Sequence, residues 1–182
     1  VVADEQNYHF QVLFEVLKRL GEPYAEGLYH LSYGMVDLPT GKMKSREGTV
    51  VDSDDLVDEM IKISKEKTEA LGKVSDFTPA QLEELYNTIG LGALKFFLLR
   101  VDPKKKMIFN PEESIDFHGF TGPFIQYTHA RIKSLLSKAE YKSEVGTPLS
   151  GDLLPVELEM ILQLAKYPAE IETAAKAHSP AS

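Results

Sequence analysis

Phe10, Leu13, Phe14, Leu17 and Leu20 fall three or four residues apart, the spacing of one helix face, and Gly21 followed by Pro23 stops the pattern. The period then shortens. Over residues 28–38, Tyr29, Leu31, Tyr33 and Met35 alternate with more polar neighbours, as in a strand, with Gly34 interrupting it. A polar, basic stretch follows over 39–48, and Thr49, Val50 and Val51 form a short β-branched run. The acidic cluster Asp52, Ser53, Asp54 and Asp55 suits a helix start, where carboxylates meet the positive end of the dipole. That helix is expected to run through Leu56, Met60 and Ile63 to a stop at Gly72.

Thr78, Pro79 and Gln81 make a second start signal, a cap with proline in the first turn and glutamine three residues on. Leu82, Leu85, Tyr86 and Ile89 supply the apolar face of one helix. A separate, almost wholly apolar helix is expected over 93–101, broken by Asp102 and Pro103. Asn110, Pro111, Glu112 and Glu113 repeat the cap–proline–carboxylate pattern. Residues 119–123 read as a turn, and Ile125, Ile132, Leu135 and Leu136 mark a long amphipathic helix over 124–139. Residues 146–151 read as a linker. Two further helices are expected over 155–166 and 169–177, with Pro168 between them. The chain is therefore mainly α, with strand concentrated before residue 52.

Composition changes this picture little. A 182-residue chain that is 43% hydrophobic and 26% charged belongs with folded proteins, as one medium domain or two small ones. With no cysteine, disulfides and thiolate metal sites are excluded, and no apolar run is long enough to cross a membrane. A cytoplasmic protein is expected. The net charge of −8 opposes a broad nucleic-acid surface, but screening confines that repulsion to about 8–10 Å in physiological salt, so local cationic clusters can still bind phosphate. Val1, Val2 and Ala3 enter like the end of a buried strand, and His178 to Ser182 stop in turn formers, so both ends read as arbitrary boundaries.

Three clusters carry chemistry. In the first, Lys42, Lys44 and Arg46 lie within five residues between Gly41 and Gly48. This loop either folds over a polyphosphate, to which lysine offers a point charge and arginine a bidentate fork, or is a solvated surface turn. In the second, Gln6 and His9 are one helical turn apart. The glutamine oxygen can accept from a cationic donor, or the pair serves capping and packing. In the third, Phe124, Tyr127 and Arg131 share one helix face. They either stack on and hold unpaired bases, or form a buried aromatic stripe with a snorkelling arginine. Residues 104–106 and Lys62, Lys65 and Lys67 read as solvated lysines, and His30, His118, His129 and His178 lack metal-ligand spacing.

The run from His30 to Leu56, with Lys42, Lys44, Ser45, Arg46 and Gly48 at its centre, resembles the KMSKS loop of class I aminoacyl-tRNA synthetases and its preceding strand. The likeness is to the divergent Lys-x-Lys-Ser/Thr-Arg-x-Gly form of the arginine enzymes. Asp4 to Phe10 is similar to the segment of that family in which a glutamine contacts the substrate arginine. Gly119, Thr121, Gly122, Pro123, Gln126, Tyr127 and Arg131 resemble the opening helix of its anticodon-binding domain. Two departures stand out. Ser45 replaces the second KMSKS lysine and Lys44 its serine, and Phe124 replaces the family's usual tyrosine.

The resemblance to arginyl-tRNA synthetases implies the end of a Rossmann-like α/β catalytic domain over 1–51, a helical connecting region over 52–118, and the start of an α-helical anticodon-binding bundle over 119–182. It implies ATP as a substrate, with Mg2+, and arginine and tRNA(Arg) as partners, with no membrane and with a monomer expected for the intact enzyme. Lys42, Lys44, Ser45 and Arg46 become the catalytic loop. His9, Gly34, Met35 and Val36 border ATP, with Gly34 allowing close approach of the base. Gln6 meets arginine, and Phe124, Tyr127 and Arg131 meet tRNA. The family's HIGH-type motif is expected before Val1 and the last helices of the anticodon domain after Ser182, so the 182 residues alone are expected to be inactive. The competing reading is a non-catalytic helical module that binds tRNA or protein.

Overall fold

A computed structural model describes residues 1–39, 52–72, 74–140 and 151–181. Strand β1 (Val2–Ala3) runs parallel to β2 (Ser32–Tyr33), with helix α1 (Asn7–Arg19) crossing between them. The helix ends as its sequence dictates. Gly21 takes φ +76°, its N–H donates to Lys18 C=O at 3.0 Å, and Glu22 N–H donates to Leu17 C=O at 3.1 Å, which satisfies two carbonyls of the last turn. Phe10, half-buried, stacks on the His30 ring at 4.3 Å, and His30 Nε2 lies 3.0 Å from Val2 C=O. This contact clamps the first strand, the helix and the return segment together.

The expected strand over 28–38 forms as two short pieces, β2 and β3 (Val36–Asp37), with Gly34 and Met35 between them. Strand β3 pairs in parallel with β4 (Met107–Ile108), a strand that the apolar pattern did not announce. Between them come α2 (Ser53–Ala70) and α3 (Pro79–Leu99), the main packed pair. The Asp52 side chain accepts from Asp54 N–H at 3.2 Å, as the acidic cluster predicts. The β-branched run over 49–51 lies outside the described residues.

Helix α3 corrects the expectation of two helices separated near residue 90. It runs unbroken through Gly90 and Gly92 because both glycines are contact surfaces rather than breaks. A Cβ on Gly90 would stand 3.0 Å from Met60 C=O, so the missing side chain lets α2 and α3 approach backbone to backbone. Around that crossing lies the core, comprising Met60, Ile63, Ile89, Ala93, Leu94, Phe97, Phe109 and Ile115, with Val36 and Leu38 packed against it. Residues of α2, α3 and 107–115 thus share one core with Val36 and Leu38 of the strand region. At its start α3 carries the predicted capping box. Gln81 N–H donates to Thr78 Oγ1 at 3.4 Å and Thr78 N–H to Gln81 Oε1 at 2.9 Å. Thr78→Ala is expected to lower stability by about 1 kcal/mol, read as a fall in the urea midpoint with an unchanged slope.

Short α4 (Pro111–Ser114), capped by Asn110, leads to α5 (Gly122–Lys138), which starts inside the expected turn because the Thr121 hydroxyl accepts from Phe124 N–H at 3.3 Å. Helix α6 (Pro155–Ala177) is the second correction. Pro168 sits within one continuous helix and does not divide two. Its missing N–H leaves the carbonyl of Leu164 without its helical partner, and Leu164 is 68% exposed, where water can satisfy that oxygen. The fold is mainly α, with two short parallel strand pairs, one before the basic loop and one joining β3 before it to β4 after it.

Candidate functional site

Gln6 and His9 lie on one face, as their spacing requires. His9 Nδ1 stands 2.9 Å from Gln6 Oε1, and both residues are exposed. The bond occupies one lone pair of the glutamine oxygen and leaves the second for another donor. His30, which the spacing argument passed over, holds the base of this helix to β1.

Gly34 has a different reason to be glycine from the close approach of a base. It is buried, its N–H donates to Pro103 C=O at 2.6 Å, and a Cβ there would run into the Lys105 carbonyl and lie 2.7 Å from Lys106 N. The segment 103–106 therefore backs directly onto the strand. Next to it, Met107 N–H donates to Met35 C=O at 3.1 Å and Phe109 N–H to Asp37 C=O at 2.8 Å. In a parallel ladder with this register, the backbone groups of Val36 point away from β4, and the Met35 carbonyl is already engaged. Of the two residues assigned to the base, Val36 keeps its backbone polar groups for a ligand. Lys104, Lys105 and Lys106 are exposed, as expected, but the turn that bears them is fixed. Lys105 N–H donates to Asp102 C=O at 2.9 Å and Lys104 N–H to Asp102 Oδ1 at 2.9 Å.

Lys42, Lys44, Ser45 and Arg46 lie outside the described residues. Strand β3 with Leu38 leads towards them.

On α5, Phe124 and Tyr127 are exposed, 43% and 42% respectively, as are nearly all residues of that helix after Pro123. The guanidinium carbon of Arg131 lies 5.7 Å from the centre of the Tyr127 ring, a cation–π distance. Two aromatic faces and a fixed cation on one side of a helix suit stacking on a base with an anion beside it. The chain leading into α5 is held by Asp116 and Thr121. The Asp116 carboxyl is kept below the usual carboxylate range chiefly by the His118 backbone N–H, 2.8 Å away, and the Thr121 hydroxyl donates to Asp116 C=O. Sequence reasoning missed Gln126, whose Nε2 donates to Thr88 C=O on α3 at 3.0 Å. Its signal was its place in the run from Gly119 to Arg131, where the resemblance assigns it no role.

Among the described residues, no helix is long and apolar enough to cross a membrane, and no three His, Asp or Glu side chains are grouped to hold a metal ion.

The model of the catalytic domain of tRNA synthetases class I (R) matches residues 1–110, and that of the DALR anticodon binding domain matches residues 125–182. The chain belongs to the arginine branch of the class I tRNA synthetases. The arginine–tRNA ligase of Flavobacterium psychrophilum is 57% identical over 99% of this chain and 30% of its own length. That of Amoebophilus asiaticus is 54% identical over 100% of this chain and 31% of its own. The Thermus thermophilus arginyl-tRNA synthetase structure matches with TM-score 0.82 at 30% identity, over 99% of this chain and 29% of that one. The chain thus spans about 30% of the length of the curated relatives it matches.

Proposed function

We propose that these residues serve an arginine–tRNA ligase, which activates arginine with ATP and transfers it to tRNA(Arg) in the cytoplasm, acting as a monomer. Residues 1–51 finish the catalytic domain, 52–118 connect, and 119–182 begin the anticodon-binding domain. The observation that carries the reading is the exposed Phe124, Tyr127 and Arg131 face on a helix fastened to the same α2–α3 frame that holds β3 and β4.

In this reading the carboxylate of arginine attacks the α-phosphate of ATP. A new carboxyl–phosphate bond forms as the bond to pyrophosphate breaks. Lys42, Lys44 and Arg46 stabilise the charge that gathers on the phosphate oxygens, with Ser45 between them as a hydroxyl donor. Gln6 accepts from the substrate guanidinium with its remaining lone pair, with His9 fixing its orientation. Val36 offers the base its backbone, and Gly34 and Met35 hold that strand in place. Mg2+ rides on the nucleotide phosphates, since it binds largely through phosphates and water.

The test is arginine-dependent exchange of pyrophosphate into ATP, and arginylation of tRNA(Arg), by the full-length protein. Equal exchange with lysine, or charging of no tRNA, would sink the reading. Tyr127→Ala is expected to weaken tRNA binding by roughly 1–3 kcal/mol if a base stacks on the ring. Filter binding measures this directly, and an unchanged affinity would remove Tyr127 from the interface.

A further inference from the structure

We propose that Gln126 is a positioning residue that fixes the rotation of α5 and so aims Phe124, Tyr127 and Arg131 at the RNA. The inference rests on the RNA-binding reading of that face. Among the described residues, α5 is buried only at its first turn. Thr121 is 6% exposed and Pro123 is fully buried, whereas α5 has no buried residue after Pro123. At that turn two glycines meet. A Cβ on Gly122 would stand 2.7 Å from Gly92 C=O and 3.2 Å from the Ala93 Cα, so the two backbones touch. The Gln126 amide lies where a Cβ of Gly92 would be, and its Nε2 reaches past to Thr88 C=O at 3.0 Å.

A crossing of small residues sets the distance between two helices but leaves one free to roll on the other. The Gln126 hydrogen bond is the directional element that stops the roll. Counting about 100° per residue around α5, Phe124, Tyr127 and Arg131 lie roughly 100–160° from Gln126. The residue that grips α3 thus holds the other three away from it. A slip by one position would turn Tyr127 into the α3 crossing.

Stability alone does not ask for an amide at this position. Gln126 Oε1 is buried with no partner among the described residues. A leucine would fill the space without stranding an oxygen. An amide kept at that cost is explained by the directionality of its N–H.

Two measurements test this. In the full-length ligase, Gln126→Leu is expected to keep the melting temperature and the KM for ATP and arginine, while the KM for tRNA rises about 3–10-fold, the worth of one neutral hydrogen bond. Combined with Tyr127→Ala it should add little, because both changes act on the same contact. An unchanged KM for tRNA, or effects that simply add, overturns the proposal. The second measurement needs no RNA, so it stands even if the ligase reading fails. These 182 residues hold no cysteine; with any cysteine elsewhere in the full-length protein replaced by serine, nitroxide labels at Glu59→Cys on α2 and Lys133→Cys on α5 report the helix orientation. Gln126→Leu, and independently Gly92→Ala, should shift or broaden the distance distribution by pulsed electron resonance. The same narrow distribution in both variants overturns the proposal.

Discussion

On the proposed activity, Arg46→Ala in the full-length protein is expected to slow arginine activation by about 10²–10³-fold, the usual cost of removing one donor aimed at transition-state charge. As arginine attacks the α-phosphate, negative charge moves onto the departing pyrophosphate. A guanidinium answers that change with two parallel N–H donors on adjacent oxygens, which a solvated lysine does less well. Two features of the sequence bear on it. Ser45 stands where the second lysine of the KMSKS pattern would be, so the cations that share the task sit at shifted positions, Lys44 before it and Arg46 after it. The chain also carries a net charge of −8, so the local cluster of Lys42, Lys44 and Arg46 must outweigh an unfavourable background over a few ångströms. Pre-steady-state formation of arginyl-adenylate measures the step itself. Arg46→Lys should recover part of the rate, because the charge survives and the fork does not. A normal rate in Arg46→Ala would place the phosphate stabilisation on another side chain.

The second large effect is on stability. Phe109→Ala is expected to cost about 3–5 kcal/mol, the range for removing a buried aromatic side chain. Phe109 is 0% exposed and meets Phe97 edge to face, with ring centres 5.2 Å apart and planes at 89°. It stands directly after β4, and its own N–H donates to Asp37 C=O. The same residue therefore closes the core of α2 and α3 and ends the strand ladder that holds β3. Chemical denaturation should show a much lower midpoint, with α4 and the segment leading to α5 loosened in hydrogen exchange. Phe120→Ala is the control. That ring is 69% exposed, and its loss should stay within about 0.5–1 kcal/mol. Equal effects from the two substitutions would show that Phe109 does not anchor the core.

What the sequence made legible was mostly local. Asp52, Thr78 and Asn110 announced three helix starts, because a cap is written in four consecutive residues. Gly21 announced a helix end for the same reason. What stayed hidden depended on distant partners. The apolar run over 93–101 read as a separate helix, because the purpose of Gly90 and Gly92, close approach to α2 and to Gln126, lies in other parts of the chain. Strand β4 is two residues long and is a strand only because β3 lies beside it. Pro168 read as a boundary because its cost is high when the freed carbonyl is buried, and exposure cannot be judged from spacing. The candidate site divides in the same way. The helical spacing of Gln6 and His9, and of Tyr127 and Arg131, became contacts. Gly34 showed a partner that spacing could not reveal, the backbone of Lys105.

The pairing of β3 with β4 has a consequence for how the chain is made. Val36 and Met107 are neighbours in space but about 70 residues apart in sequence, a long loop to close. Synthesis at about 5–20 residues per second leaves β3 without its partner for roughly 4–14 seconds. Helices α2 and α3 are complete before Met107 emerges, and their packing brings the two ends of that loop together. Until then Val36 and Asp37 present an open strand edge, the kind of surface that other nascent chains can join. The Gly34 contact with residues 103–106 forms at the same closure, so the strand proposed to border the nucleotide acquires its backing only after both helices have been made.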